Sequence, residues 1–412
     1  MEDIKLRKGL SVAAIILIVI NALIISFNNT NGILFGEETK LYGMPFMAAF
    51  AIPLLAVLVV LTRYCKSTDT VDETISSIAV RFALWGWFFI FPIKFASAAW
   101  TVFCPDFYEA HFTTIYLLMN AFNVSVLGCL VLGLSMRDLP TVKIEKRSLK
   151  FGQILLLIMM SYGLGQVGSV MGMPIHTALS AFSYFADKSS GDAFSNLKSS
   201  MILGSGTFIR VLTVGIIPAI FEELLFRKFL IDKTLRHGEF LSCALSGIMF
   251  GLWHGNFQQF FFAFFLGVLF GFVYIRTGRI IYTMILHASI NLVTSTVTVE
   301  LLSKLMNAMG PEFVTGDIDP AAEEAMLKAI LPWLLILLVW IIGLAAFQIA
   351  GFVMLIVRRK KFKLIPIVYE LPRKQILHKI THSVSMWVFF ALALLLFVGT
   401  YLPDILAFFF RK

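Results

Sequence analysis

Charged residues are scarce in this chain of 412 residues: Asp, Glu, Lys and Arg together make up 14%, against about 25% in a soluble domain. Hydrophobic residues make up 58%. This apolar surface is larger than the polar side chains of a soluble fold can cover. The composition therefore excludes a soluble enzyme and a nucleic-acid-binding module, and no nucleic acid is expected as a partner. Membrane lipid is the expected partner of the apolar surface.

Cysteine is also scarce. The four cysteines lie far apart, with no Cys-x-x-Cys pair and no spacing typical of a metal site. Isolated cysteines of this kind are interpreted as small buried apolar residues, which excludes a disulfide framework. The sequence also has no His-Glu-x-x-His motif, which argues against the usual helical zinc-protease site.

Long apolar runs are what the sequence has in abundance. A membrane-crossing helix needs about 20 mostly apolar residues, and a window of that length finds roughly eleven candidates. They predict an all-α fold, a polytopic transmembrane helical bundle in a multi-pass integral membrane protein. The predicted spans are Leu10–Phe27, Met44–Leu61, Ile78–Phe103, Phe112–Leu134, Phe151–Gly172, Val211–Ile231, Phe240–His254, Phe257–Ile275, Ile280–Val299, Ile330–Val357 and Val384–Phe410.

The segments between these spans alternate in charge, with a net charge of +9 for the chain. Basic stretches such as Arg137 to Lys150 are predicted on the cytoplasmic side, and acidic ones such as Glu312 to Glu324 on the other side. The same rule places the N-terminus inside, and an odd number of spans places the C-terminus outside. The Ser- and Gly-containing segment Met173–Ser200 is predicted to be an external loop.

Most spans contain few charges. A charge inside the bilayer costs at least about 2.5–3.5 kcal/mol, so it indicates a function by default. Arg81 and Lys94 in the third span are interpreted as snorkelling side chains or members of a structural ion pair.

The span Val211–Ile231 contains two adjacent carboxylates. Glu223 and Arg227 are four residues apart on one helical face, so they are predicted to pair. Glu222 lies about 100° around the helix and is available to another partner. Pro218, one turn earlier, is expected to leave a backbone carbonyl without its helical donor. The alternative is that both glutamates merely neutralise Arg227 and the following lysine.

Two later spans carry histidine. Phe250 and His254 lie one turn apart, as do His287 and Asn291. Together with a glutamate they supply a carboxylate, two imidazoles and an amide, which suit water activation and oxyanion stabilisation. The same groups could also ligate zinc. The alternative for each histidine taken alone is a structural role, because an isolated membrane histidine is more often a hydrogen-bonded core residue than a ligand.

The order of these motifs resembles a known family. Glu222-Glu223-x-x-x-Arg227, then Phe250-x-x-x-His254, then His287-x-x-x-Asn291 is similar to the CAAX-protease and bacteriocin-processing (CPBP, or Abi) family of intramembrane metalloproteases, which includes the type II CAAX prenyl endopeptidases. The resemblance covers roughly Phe208 to Thr298 and predicts a CPBP-like catalytic helical core over 201–300. The apolar and acidic runs outside it predict N-terminal transmembrane helices of unknown role over 1–200, and an external acidic loop with two C-terminal transmembrane helices over 301–412. Family members commonly have glycine where Lys228 stands.

The resemblance implies roles for these residues. Glu222 would be the general base that activates water, with His254 assisting it. His287 and Asn291 would stabilise the oxyanion, while Glu223 and Arg227 would form a structural pair. The implied cofactor is a divalent metal such as zinc, with Glu222, His254 and His287 as its candidate ligands.

The implied activity is an endopeptidase that hydrolyses a peptide bond near the membrane. Its substrate would be a prenylated C-terminus if the host prenylates proteins, and otherwise a peptide, a bacteriocin leader or a membrane protein. In a prokaryote the enzyme would lie in the cell membrane. The alternative is a transporter, or a non-catalytic immunity or scaffold protein, that uses the same polar cluster to bind a proton, an ion or a partner helix.

Overall fold

The computed structural model describes residues 2–35, 43–186, 204–309, 320–367 and 370–410. Throughout these ranges the regular structure is helical and no strand occurs, as expected where no water is present to satisfy an open sheet edge. The all-α prediction is confirmed. The helices are α1 Glu2–Phe35, α2 Gly43–Tyr64, α3 Val71–Phe103, α4 Pro105–Phe122, α5 Cys129–Met136, α6 Phe151–Ala186, α7 Thr207–Arg210, α8 Ile217–Glu223, α9 Leu230–Thr234, α10 Glu239–Trp253, α11 Phe257–Thr277, α12 Ile280–Leu292, α13 Thr298–Met309, α14 Pro320–Val357, α15 Arg373–His382 and α16 Val384–Phe410.

Nine helices in the described ranges are long and apolar enough to cross a membrane, so the chain is a polytopic helical membrane protein. Each of the eleven predicted segments falls on a helix. Two of them are not among the nine: the segment over 211–231 carries four charges, and α10 has only 15 residues. Eleven spans therefore stay a prediction.

The predicted external loop Met173–Ser200 is wrong over its first half. The helix α6 continues to Ala186, because most residues over 173–186 are apolar or good helix formers and outweigh the scattered serines. Residues 187–200 lie outside the described ranges, as do residues 310–319 of the predicted acidic loop. The end of the predicted acidic loop is also helical, since α14 begins at Pro320, a residue favoured in the first turn of a helix.

Arg81 has a role that neither interpretation foresaw. Its buried guanidinium donates hydrogen bonds to the carbonyl oxygens of Cys65 at 2.8 Å, Ser77 at 2.9 Å and Ser135 at 2.8 Å. It therefore neither snorkels nor forms the predicted ion pair. Instead it joins α3 to the ends of α2 and α5. Lys94 is half-buried.

Glycines bring α10 and α11 into close contact, as small residues do in membrane bundles. A Cβ atom on Gly267 would lie 2.8 Å from the Cα atom of Gly247, and one on Gly251 would lie 2.9 Å from the Phe260 carbonyl oxygen. Gly251 and Gly267 therefore permit the close approach of the two helices.

The turn between α10 and α11 is closed by hydrogen bonds from the protein. Gly255 adopts a φ of +67°, and its carbonyl accepts a 3.2 Å hydrogen bond from the Thr400 hydroxyl. The Asn256 side chain accepts from the backbone N–H of Gln259 at 2.8 Å and caps α11. The polar backbone of this turn is thus satisfied within the bundle.

The basic loops over 63–69, 137–150, 233–238, 276–279 and 358–363 contact one another at one end of the bundle, which we call the basic face. Lys379 contacts Asp72 there, and the Arg147 N–H donates to the Thr277 carbonyl at 2.8 Å. Arg276 pairs with Glu239. The predicted grouping of these loops on one side is confirmed, while the assignment of that side to the cytoplasm stays a prediction.

We expect Gly351→Ala to loosen the contact between α6 and α14. A Cβ atom at Gly351 would overlap the Met159 carbonyl oxygen, and backbone atoms cannot move away cheaply. The loss should be about 1–3 kcal/mol, seen as a lower melting temperature of the purified protein in detergent. Gly343→Ala on the same helix is the control, because a Cβ there meets nothing within 4 Å. Equal melting temperatures of the two variants would contradict the packing argument.

Candidate active site

Both motif glutamates lie on an irregular helix over residues 207–234, which we call the glutamate helix. Its α-helical pieces α7, α8 and α9 are joined by π-helical turns at Val211–Ile216 and Leu224–Phe229. Such π turns are rare and occur frequently at functional sites. Glu222 and Glu223 end the short α-helical piece between the two π turns.

Pro218 shapes this helix as the sequence predicted. Proline lacks a backbone N–H, so the carbonyl four residues earlier, that of Val214, loses its α-helical donor. The Asn291 side-chain amide replaces it, since its Nδ2 donates to the Val214 carbonyl at 3.1 Å. Asn291 therefore ties α12 to the glutamate helix, and one N–H of its amide remains for another acceptor.

The predicted pair of Glu223 and Arg227 is confirmed. Arg227 Nε lies 3.0 Å from Glu223 Oε2, and both side chains are fully buried. The contact is an ion pair of close approach without the linear geometry of a hydrogen bond, and no group in the described ranges accepts a hydrogen bond from the guanidinium nitrogens. The guanidinium carbon instead lies 4.7 Å from the centre of the Phe250 ring and 5.5 Å from that of Phe270. These aromatic faces stabilise the buried cation.

His287 connects the two glutamates. Its Nδ1 lies 2.9 Å from Glu223 Oε1, and because an ionised carboxylate only accepts hydrogen bonds, Nδ1 carries the proton. In the neutral ring this leaves Nε2 as an acceptor. Nε2 lies 3.8 Å from Glu222 Oε2, and the Glu222 side chain keeps 16% of its surface exposed. The Glu222 carboxylate and the His287 Nε2 atom therefore lie close enough to contact the same small molecule, such as one water.

His254 lies at the end of α10, beside the same aromatic ring. Its Nδ1 is 2.8 Å from the Phe250 carbonyl oxygen, which only accepts, so Nδ1 donates and Nε2 is the remaining acceptor. The Phe250 ring centre lies 4.9 Å from that of His254 and 5.7 Å from that of His287. Phe250 thus packs against both imidazoles as well as against Arg227.

The implied metal site has only part of its ligands in place. Glu222 and His287 converge, but nowhere in the described ranges do three His, Cys, Asp or Glu side chains form a group that could hold a metal ion. Glu223 is already committed to Arg227 and His287. The arrangement does not fit the three-ligand site expected of catalytic zinc, so the chemistry proposed below uses the protein's own side chains.

Comparison with known families agrees with the motif order. Residues 204–293 match the family described as type II CAAX prenyl endopeptidase Rce1-like. The matched segment contains the glutamate helix, α10, α11 and α12, and with them all three motifs. No curated protein and no solved structure matches the chain.

We expect Arg227→Met to destabilise the protein strongly, because it leaves the Glu223 carboxylate buried without its cation. Breaking a buried pair in this way costs about 3–5 kcal/mol. Adding Glu223→Gln should restore part of that loss, since the unpaired charge is then gone. Melting temperatures in detergent measure both effects. A single Arg227→Met variant as stable as Glu222→Gln would contradict the role of the pair.

We expect Asn291→Ala to cost about 1–3 kcal/mol, because the Val214 carbonyl then lacks its donor. Adding Pro218→Ala should recover part of this loss by supplying a backbone N–H within the helix. The test is the thermal stability of the two single variants and the double variant. Strictly additive effects would show that Asn291 and Pro218 do not act on one carbonyl.

Proposed function

We propose that this chain, whose residues 204–293 match the type II CAAX prenyl endopeptidase Rce1-like family, is an intramembrane endopeptidase that uses a glutamate-activated water. One observation carries the proposal. Glu222 Oε2 and His287 Nε2 lie 3.8 Å apart, while the buried pair of Glu223 and Arg227 fixes the other side of the imidazole.

The first step is activation of water. A water molecule about 2.8 Å from both Glu222 Oε2 and His287 Nε2 donates one hydrogen bond to each acceptor. Its oxygen lone pair then points away from the two side chains, toward a bound peptide carbonyl. Glu222 takes a proton as the water oxygen bonds to the carbonyl carbon. The proton later passes to the leaving amine when the carbon–nitrogen bond breaks.

This assignment gives His287 a different role from the one that the resemblance implied. Because its Nδ1–H is directed at Glu223, the neutral ring has no proton left to offer an oxyanion. We assign oxyanion stabilisation to the second N–H of the Asn291 amide. A preorganised donor in a low-dielectric site stabilises an oxyanion well. His254 presents Nε2 as a second proton acceptor beside the same aromatic ring.

The substrate is a peptide or membrane-protein segment that reaches the bundle from the membrane. A lipid-modified C-terminus is the natural first probe, since its chain would partition into the bilayer around the apolar helices. The membrane location of the protein rests on the nine apolar helices and the family match.

The test uses the purified full chain in liposomes with a panel of prenylated and unprenylated peptides. Wild type should cleave at least one peptide, and Glu222→Gln should lower the rate by about 10²–10⁴-fold, the usual contribution of a general base. Glu145→Gln is the control, because Glu145 is an exposed residue of the basic face. A chelator arm reports whether a divalent metal takes part.

Cleavage by Glu222→Gln at the wild-type rate would overturn the proposed mechanism. If wild type cleaves nothing in the panel while uptake into vesicles depends on Glu222 and a pH gradient, the protein is a transporter. A scaffold would instead keep its cellular phenotype in the Glu222→Gln variant.

A further inference from the structure

A cavity of about 530 Å³ opens at the basic face. It lies between the end of α5, the loop over 137–150 and the end of the glutamate helix, with Tyr274 and Gly278 on its far side. None of the proposed catalytic residues lines this cavity. The proposed peptidase chemistry therefore gives it no role.

The cavity is strongly cationic. Five basic side chains and one acidic side chain, that of Asp232, line the cavity, which gives it a formal net charge of +4. Asp232 Oδ2 lies 2.5 Å from Lys228 Nζ, and its Oδ1 accepts a 2.7 Å hydrogen bond from the Tyr274 hydroxyl. The basic side chains that line the cavity are Arg137, Lys143, Lys146, Lys228 and Lys233.

Two of these cations lack a counter-ion within the described ranges. In the part of the chain that the structure describes, no carboxylate lies within 4.0 Å of Lys143 or Lys146. Lys233 is buried, and its Nζ donates to the Leu139 carbonyl at 2.6 Å. Burial lowers the pKa of Lys233 and the nearby Lys228 lowers it further, although Asp232 opposes them. A bound anion would relieve the repulsion among these groups.

The cavity wall is held in place by backbone contacts. The Val142 N–H donates to the Asp232 carbonyl at 2.8 Å. Gly278, at a φ of +57°, packs against the loop so closely that a Cβ there would lie 2.7 Å from the Glu145 carbonyl oxygen. The cations are therefore assembled on a fixed frame, which lowers the cost of ordering a binding site.

The position of the cavity favours a lipid over a soluble anion. It lies where α5 ends at Met136, which is also the end of a candidate membrane span. On the same helix, toward the membrane, Leu130 and Leu134 are 51% and 57% exposed. These apolar side chains offer a path for acyl chains directly beside the cations, which a free phosphate ion would not need.

We propose that this cavity binds the phosphate headgroup of an anionic membrane lipid, with Lys143 and Lys146 contacting the phosphate and acyl chains lying along Leu130 and Leu134. Basic pockets between membrane helices bind anionic headgroups by this physical chemistry. The site is independent of peptide cleavage.

The experiment reconstitutes the full chain in nanodiscs of phosphatidylcholine containing a minority of phosphatidylglycerol and counts retained phosphatidylglycerol by native mass spectrometry. Wild type should retain at least one molecule. The variant Lys143→Gln/Lys146→Gln should bind it roughly thirtyfold more weakly, as expected for two surface lysines. Lys360→Gln/Lys361→Gln removes the same charge from the basic face outside the cavity and should bind as wild type.

Equal loss in both double variants would overturn the proposal, because it would show a general surface attraction. Unchanged binding in Lys143→Gln/Lys146→Gln would also overturn it. A separate arm adds inorganic phosphate and diphosphate to nanodiscs of phosphatidylcholine alone. Tight binding of these ions, lost in the cavity variant, would identify a soluble phosphate compound as the ligand and overturn the lipid assignment.

Discussion

The candidate site depends on the ion pair of Glu223 and Arg227, which is fully buried in an apolar bundle. Neither charge could stay ionised alone at that depth. Their pairing leaves Glu223 Oε1 to accept from His287, and it places the guanidinium over the rings of Phe250 and Phe270. One interaction on the glutamate helix therefore orients a histidine on α12 and aromatic side chains on α10 and α11.

This arrangement explains why two adjacent glutamates differ in character. Glu223 is consumed by structure, because each of its oxygens faces a cationic or donor group. Glu222 keeps part of its surface exposed beside His287. A chain with only one of the two carboxylates would lose either the positioned imidazole or the proposed base. The division follows from the helical rotation between neighbouring residues.

The sequence predicted the parts of the site that follow from spacing along one helix. The pairing of Glu223 with Arg227 and the carbonyl left without a donor by Pro218 are both local consequences of helical geometry. The identity of the donor to Val214, Asn291, depends on how two helices cross, which spacing does not reveal. The proposed roles of Glu222, His254, His287 and Asn291 stay predictions. Arg81 could not be interpreted from the sequence, because three of its four acceptors are backbone carbonyls, which every residue has. The cationic cavity was equally out of reach, since it is assembled from a loop and two distant helix ends.

The shortness of α10 has a consequence for the supply of water. With 15 residues it spans about 22 Å, against about 30 Å for the hydrocarbon core of a bilayer. Non-helical backbone at membrane depth is tolerated only inside protein or beside a water-filled space, and the turn from His254 to Asn256 meets this condition through Thr400 and its own side chains. Hydrolysis consumes one water molecule for each bond cleaved. In the proposed reaction, a helix that stops short of the full bilayer would shorten the route by which that water reaches Glu222.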